Sequence, residues 1–261
     1  MSLLADLKVL YHLTLSPIRG RSHAERLDNF YRGQAAHYDH FRNRLLQGRQ
    51  EMLRELPLPA DAIWIDMGGG TGHNLEMVAD QLPRLRKVYL VDLAGSLLQV
   101  AQERIRKHGW HHVEPVLADA TSYTPPESLV DTVTFSYSLT MIPDWFAAID
   151  HAYQLLRPGG YIGVVDFYVS RKHPEPGRQR HGWFARNFWP IWFAADNVFL
   201  SSDHVPYLFR KFEPVRFTEH RARVPYLFGL RVPYYRFIGR KPPSAGEAGG
   251  SPGLVAVPPT S

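Results

Sequence analysis

The sequence predicts an α/β fold: a mostly parallel twisted sheet with helices on both faces, closed at its C-terminal edge by an antiparallel hairpin. Two observations predict it. From residue 62 short apolar runs alternate with amphipathic segments: AIWIDM, VYLVD, VEPVLAD, VDTVTFSYS and YIGVVDFYV read as strands, with helices near 72–82, 96–107 and 144–156 between them. Four or five such units in series make a parallel sheet with helical crossovers. Further on, VRFTEHRARV and VPYYRFIG are strand-like and joined by YLFGLR, which gives the hairpin.

Element by element, the first sixty residues look helical. Leu3, Leu4, Leu7, Leu10 and Tyr11, and then Leu27, Phe30, Tyr31, Tyr38, Phe41 and Leu45, recur at intervals that put each set on one helix face. We read 1–60 as an N-terminal helical lid and 61–170 as the core. LLRPGG, Leu155 to Gly160, reads as a helix end and a tight turn, since proline cannot continue a helix. Residues 171–214 have no clean period and many prolines and aromatics, which suggests an insertion or cap; 215–241 is the closing hairpin, and the Pro, Gly, Ser and Ala content of 242–261 predicts a disordered tail.

Bulk properties narrow the class. The 261 residues are 44% hydrophobic and 21% charged, which suits one soluble globular domain with additions. Absence of cysteine excludes disulfides, thiolate metal sites and a cysteine nucleophile, and fits the cytoplasm. No stretch approaches the roughly 18 apolar residues of a spanning helix, and Asp6 and Lys8 interrupt the N-terminal apolar stretch, so no signal peptide is expected. The thirteen histidines show no ligand spacing, His111-His112 included, and no metal is expected.

The chemistry concentrates after the first strand. AIWIDM runs into Gly68-Gly69-Gly70-Thr71-Gly72, where glycines let a ligand approach the backbone and free N–H groups at the helix start point at it. An ordinary glycine turn is the alternative. Against it, Asp92 closes the next strand 22 residues after Gly70, close to the interval of about 20 at which a nucleoside-binding fold offers a carboxylate to ribose. Asp119 closes the third strand, so Asp66, Asp92 and Asp119 share the edge where open parallel sheets bind ligands. A dinucleotide fingerprint would need glycine where His73 stands, which disfavours a pyrophosphate.

An acid at a strand end followed by G-x-G-x-G, here Asp66 to Gly72, resembles the Rossmann-like class I S-adenosylmethionine-dependent methyltransferases. The resemblance covers about residues 30–170 and implies S-adenosyl-L-methionine as cofactor. It places Gly68, Gly69 and Gly70 against the cofactor's amino-acid part, Asp92 and the adjoining Leu93 at its ribose, and Asp119-Ala120 beside its adenine; Ser136-Tyr137-Ser138 matches the fourth-strand exit. YRGQAAHYDHFRNRLLQGR at 31–49, SYSLTMIPDW at 136–145 and VPYLFGLRVPYYRFIGRK at 224–241 resemble, more narrowly, the diacylglyceryl-homoserine N-methyltransferases of bacterial betaine-lipid synthesis. That narrower resemblance implies an amine on a lipid headgroup methylated three times at the cytoplasmic membrane face, with the enzyme making the precursor lipid as a partner. SYSLTMIPDW lacks the Asn or Asp, two prolines and aromatic that some nucleic-acid amine methyltransferases carry there, and no DNA partner is expected.

Charge placement points the same way. Residues 171–241 hold 14 Lys or Arg against 5 Asp or Glu, a net of +9, while the whole chain is only +5. The same stretch holds 16 of the 33 aromatics, Trp183, Trp189 and Trp192 among them. Aromatics with basic neighbours suit peripheral contact with an anionic membrane surface. A cap with its aromatics packed inward, and single-stranded RNA, are the competing readings; phosphatidylethanolamine and quinone precursors are the other candidate acceptors, and a non-catalytic cofactor-binding protein is a third class. Methyl transfer is an in-line displacement that needs geometry more than chemistry from the protein. Candidates to touch the methionine part or the acceptor are Tyr31 and Tyr38 on the lid and Tyr137, with His151 another candidate base and Arg42 a candidate partner for a carboxylate.

Overall fold

The computed structural model describes Glu25, Asp28 and residues 45–195, 197–224, 227 and 229–243. Five strands run parallel: β1 (Ile63–Met67), β2 (Lys87–Asp92), β3 (Val113–Leu117), β4 (Val130–Ser136) and β5 (Leu156–Phe167). The last two, β6 (Glu213–Arg223) and β7 (Arg231–Arg240), form an antiparallel hairpin, and β7 pairs antiparallel with β5. The seven strands lie in the order β3-β2-β1-β4-β5-β7-β6. This is the fold the alternating pattern predicts. The order reverses between β1 and β4, and in such sheets the crevice beyond the strand ends at that point receives ligands.

Alternation along each strand divides the core in two. Trp64, Val88 and Leu90 face a layer made by α1 (Arg49–Glu55), α2 (His73–Met77), α3 (Gly95–His108) and α5 (Trp183–Ala194). Ile63, Ile65, Val133 and Phe135 face the opposite layer, α4 (Trp145–Leu155) and α6 (His204–Lys211). Both faces of the central strands are therefore apolar, as a parallel sheet covered on both sides requires. α1 is seated in the core: Met52 and Leu53 are fully buried, and a Cβ on Gly163 of β5 would lie 2.7 Å from the Met52 sulfur.

Three expectations change. The helix near 72–82 stops at Met77, and the chain turns through a short 3-10 helix at Leu82–Arg84 containing Pro83, which has no N–H to continue an α-helix. LLRPGG does not make a tight turn. α4 ends at Leu155 and the chain goes directly into β5, with Leu156 paired to Val130 and the register shifting before Thr132 pairs Tyr161, so Pro158 and Gly159 (φ +77) sit in a bulge. Within 171–214 two helices form, α5 and α6, and the hairpin begins at Glu213.

Candidate active site

The turn after β1 is built by its neighbours. Gly68, Gly70 and Gly72 all have positive φ (+70, +58 and +72), which only glycine adopts without strain. Gly68 and Gly69 donate N–H bonds of 2.8 and 3.1 Å to the Val91 carbonyl, and Gly70 donates one of 2.8 Å to Asp92 Oδ2. Three N–H groups of the turn thus bind the end of β2. The glycines act by absent side chains. A Cβ on Gly68 would stand 2.4 Å from that of Ser138, and one on Gly69 2.7 Å from Leu90 Cδ1.

Asp66 lies beneath this turn. It is fully buried, accepting bonds from the Thr134 hydroxyl at 2.7 Å and from Asn74 Nδ2 at 2.9 Å, while Trp64 Nε1 donates to the same Thr134 oxygen at 2.8 Å. Burial pushes its carboxyl up to about 6, against the downward pull of the Thr134 and Asn74 bonds. Asp66 thus joins β1, β4 and α2 below the turn and does not line the cavity above it.

That cavity, of about 260 Å³, opens at the strand ends where the order reverses. Gly68, Gly70, Asp92, Leu93, Asp119 and Ala120 all line it, so the turns after β1, β2 and β3 meet as the sequence predicts. Asp92 Oδ1 accepts from the Ala94 N–H at 2.8 Å, so backbone bonds to Gly70 and Ala94 hold the carboxylate at the cavity wall. Asp119, exposed, accepts from the N–H and hydroxyl of Thr121 at 2.8 and 2.7 Å. Asp28, from the N-terminal region, accepts the Ser96 N–H at 2.8 Å at the start of α3.

The opposite wall comes from the segment after β4, from Tyr137 and Ser138 to Met141, Ile142, Pro143 and Asp144. Ser136 is not in it. Its side chain is buried with no hydrogen-bond partner among the described residues, and Ser138, two residues on, lines the cavity and donates to the Met67 carbonyl at 2.8 Å. Tyr137 lines the cavity in an uncommon positive-φ conformation (+55), but its hydroxyl donates to the Gln47 carbonyl at 2.6 Å and its ring packs on Phe167 at 4.6 Å. Burial holds that hydroxyl well above its usual range, and its bond to Gln47 makes Tyr137 a strut as well as a wall of the cavity. His151 is engaged elsewhere, its Nε2 2.6 Å from the Tyr123 carbonyl. Tyr31, Tyr38 and Arg42 lie outside the described residues.

Sequence reasoning missed Asp166. Fully buried near the end of β5, it accepts bonds from the Thr140 N–H at 3.1 Å, the Thr140 hydroxyl at 2.8 Å and the Phe167 N–H at 2.8 Å, and so fixes the short helix Leu139–Met141 that carries the wall. Burial drives it up to about 7 despite those bonds. Its signal was a lone carboxylate inside the apolar run YIGVVDFYV.

The residues present fit S-adenosylmethionine. A side-chain-free cradle at Gly68 and Gly70 admits the amino-acid part, the Asp92 carboxylate lining the cavity suits ribose hydroxyls, and Leu93, Leu97 and Ala120 give apolar surface for adenine. Among the described residues no group of acids and histidines could hold a metal ion.

Comparison with known proteins agrees. The family described as "Methyltransferase domain" matches residues 38–207. The demethylmenaquinone methyltransferase of Geobacillus stearothermophilus is 24% identical over 145 residues, covering 54% of this chain and 62% of that protein, so the chain spans less than two thirds of that relative's length. The structure of phosphoethanolamine N-methyltransferase 2 from Haemonchus contortus, with phosphomonomethylethanolamine and S-adenosylhomocysteine bound, superposes with a TM-score of 0.66 at 16% identity, covering 85% of this chain and 61% of that one. The YcgJ protein of Bacillus subtilis gives a TM-score of 0.60 at 15% identity over 75% of this chain and 98% of its own. With the family matched over most of its length and the glycine turn, acidic strand ends and reversed strand order all in place, the chain belongs to the methyltransferase domain family and has the Rossmann-like architecture of the class I S-adenosylmethionine-dependent methyltransferases.

Proposed function

We propose that the protein methylates the amine of a membrane-lipid headgroup, converting diacylglyceryl-homoserine to its trimethylated betaine by three successive displacements. One observation carries the reading: an acidic cavity beside an apolar surface. Asp92, Asp119 and Asp144 all line the cavity, and three carboxylates favour cationic occupants. Both an ammonium headgroup and its permanently charged trimethylated product are such occupants. Beyond Tyr137, aromatic contacts continue outward through Phe167 to Phe193 of α5 at 5.0 Å, towards a helix whose outer side chains are apolar.

Bound S-adenosylmethionine supplies an electrophilic methyl group for in-line attack. The protein's residues have the tasks of orienting and dehydrating. Gly68 and Gly70 leave room for the donor, Asp92 fixes its ribose, and the wall from Met141 to Pro143 confines the acceptor. Asp119 and Asp144 stand exposed at the rim and draw an ammonium; their charge favours its protonated form, so the amine has to give its proton to water as it leaves them for the donor.

Similarity to a demethylmenaquinone methyltransferase supports a second reading, methylation of a quinone precursor. A quinol that attacks as its anion is disfavoured by the carboxylates of Asp119 and Asp144 on the cavity lining. The discriminating experiment incubates the protein with methyl-labelled S-adenosylmethionine and a lipid extract and identifies the product. Label in an amine headgroup supports the proposal; label only in quinones or RNA removes it.

A further inference from the structure

We infer that the outward face of α5 is a docking surface for an anionic lipid bilayer. The inference rests on the reading that the acceptor is a membrane lipid, and it names the surface that meets the membrane. α5 is apolar on both sides. Trp189 and Phe193 are buried against the sheet, while Trp183 (74% exposed), Phe184, Ile191 (75% exposed) and, past the helix end, Phe199 stand in solvent. Positions 183, 184, 187 and 191 follow helical spacing and form one stripe. The polar member, Asn187, turns its amide back to the Trp183 carbonyl at 2.7 Å. A surface helix ordinarily gives this side to charged residues, and a contiguous apolar stripe marks an interaction site.

Charge selects the partner. Arg186 belongs to the first turn of α5 itself. Lys172 and Arg180, in the segment leading to it, are exposed and have no ion-pair partner among the described residues. Aromatic and aliphatic side chains ringed by Arg and Lys suit the headgroup layer of an anionic bilayer. A second copy of this chain would oppose the same cations and is disfavoured by them.

The test compares wild type with Trp183→Ser/Ile191→Ser and with Lys172→Glu/Arg180→Glu, by sedimentation with vesicles of phosphatidylglycerol and phosphatidylcholine or of phosphatidylcholine alone. Calorimetric binding of S-adenosylmethionine checks that each variant is folded. Wild type should favour the anionic vesicles, the first variant should partition at least about tenfold more weakly, and the second roughly fivefold more weakly per charge, with preference for anionic lipid reduced. Unchanged partitioning of folded Trp183→Ser/Ile191→Ser overturns the inference, as does a wild-type dimer in size-exclusion chromatography that this variant abolishes. The two readings fail separately. Binding through α5 without labelled lipid amine leaves docking standing and removes the acceptor; lipid amine labelled equally by wild type and variant, with vesicle binding indifferent to α5, does the reverse.

Discussion

The contact between Gly68 and Ser138 joins the cofactor turn to the opposite wall, and exchanging the two residues tests whether it sets the cavity's width. In Gly68→Ala the new residue keeps φ near +70, which costs an L-residue about 1–2 kcal/mol. Its Cβ also meets the Ser138 Cβ at 2.4 Å, and relieving such an overlap in a packed site costs about 1–3 kcal/mol more. The variant should therefore lose about 2–5 kcal/mol in denaturant unfolding and bind S-adenosylmethionine at least about tenfold more weakly. Gly177→Ala isolates the backbone part, since Gly177 has φ +80 and nothing within 4 Å of a new Cβ; it should lose only about 1–2 kcal/mol. Every atom near the Gly68 Cβ position belongs to Ser138, and the nearest that survives in Ser138→Gly is its Cα at 3.8 Å, an ordinary contact. Gly68→Ala/Ser138→Gly should accordingly be more stable than the sum of its single variants by about 1–3 kcal/mol. Additivity within about 0.5 kcal/mol would refute the reasoning.

Asp92→Ala removes a carboxylate that clamps the Gly70 N–H and faces the cavity, so cofactor affinity should fall roughly ten- to a hundredfold by calorimetry; unchanged affinity would sink the assignment. Tyr137→Phe leaves the Gln47 carbonyl without its donor and should cost about 1–2 kcal/mol of stability while kcat stays within a few fold. A large loss of kcat in a folded variant would restore Tyr137 as a proton-transfer group. For the buried acids, Asp66 at about 6 and Asp166 at about 7 in the folded protein stand above their unfolded value of 3.8, so the folded state binds the extra protons. Stability from this source is complete below about pH 4 and is lost as pH rises through 6 and 7, by roughly 2–4 kcal/mol between about pH 5 and 8. Asp166→Asn should flatten the upper part of that decline in denaturation series; an unchanged slope argues against a protonated Asp166.

The cofactor half was legible because its signals are local. Gly68 to Gly72 and the acids closing three successive apolar runs are periodic and short-range, and they fix which edge of the sheet is used. The roles inside that edge depend on contacts far apart in the chain. Asp66 reads like a ligand-binding acid but is engaged 68 residues away by Thr134, and Gly70 satisfies its N–H on Asp92, 22 residues away. Ser136 and Ser138 sit two residues apart in the same short stretch, and only the exit of β4 into the turn at Tyr137 decides which one faces the cavity. LLRPGG misleads for a related reason: proline and glycine are as useful in a bulge as in a turn, and the pairing of Leu156 with Val130 decides between them. α5 gave no clean period because both of its faces are apolar, which removes the polar side that periodicity detects.

The reversal of strand order between β1 and β4 also divides the cavity by ancestry of parts. Everything expected to hold the donor hangs from the turns after β1, β2 and β3, and everything that confines the acceptor hangs from the exit of β4 and from β5 behind it. The halves are joined where Gly68 meets Ser138, where Ser138 donates to the Met67 carbonyl and where Thr134 donates to Asp66. Under the proposed function, a library confined to residues 139–144, which carry none of these links and only the Thr140 bonds to Asp166, should change what is methylated while leaving the grip on the donor intact.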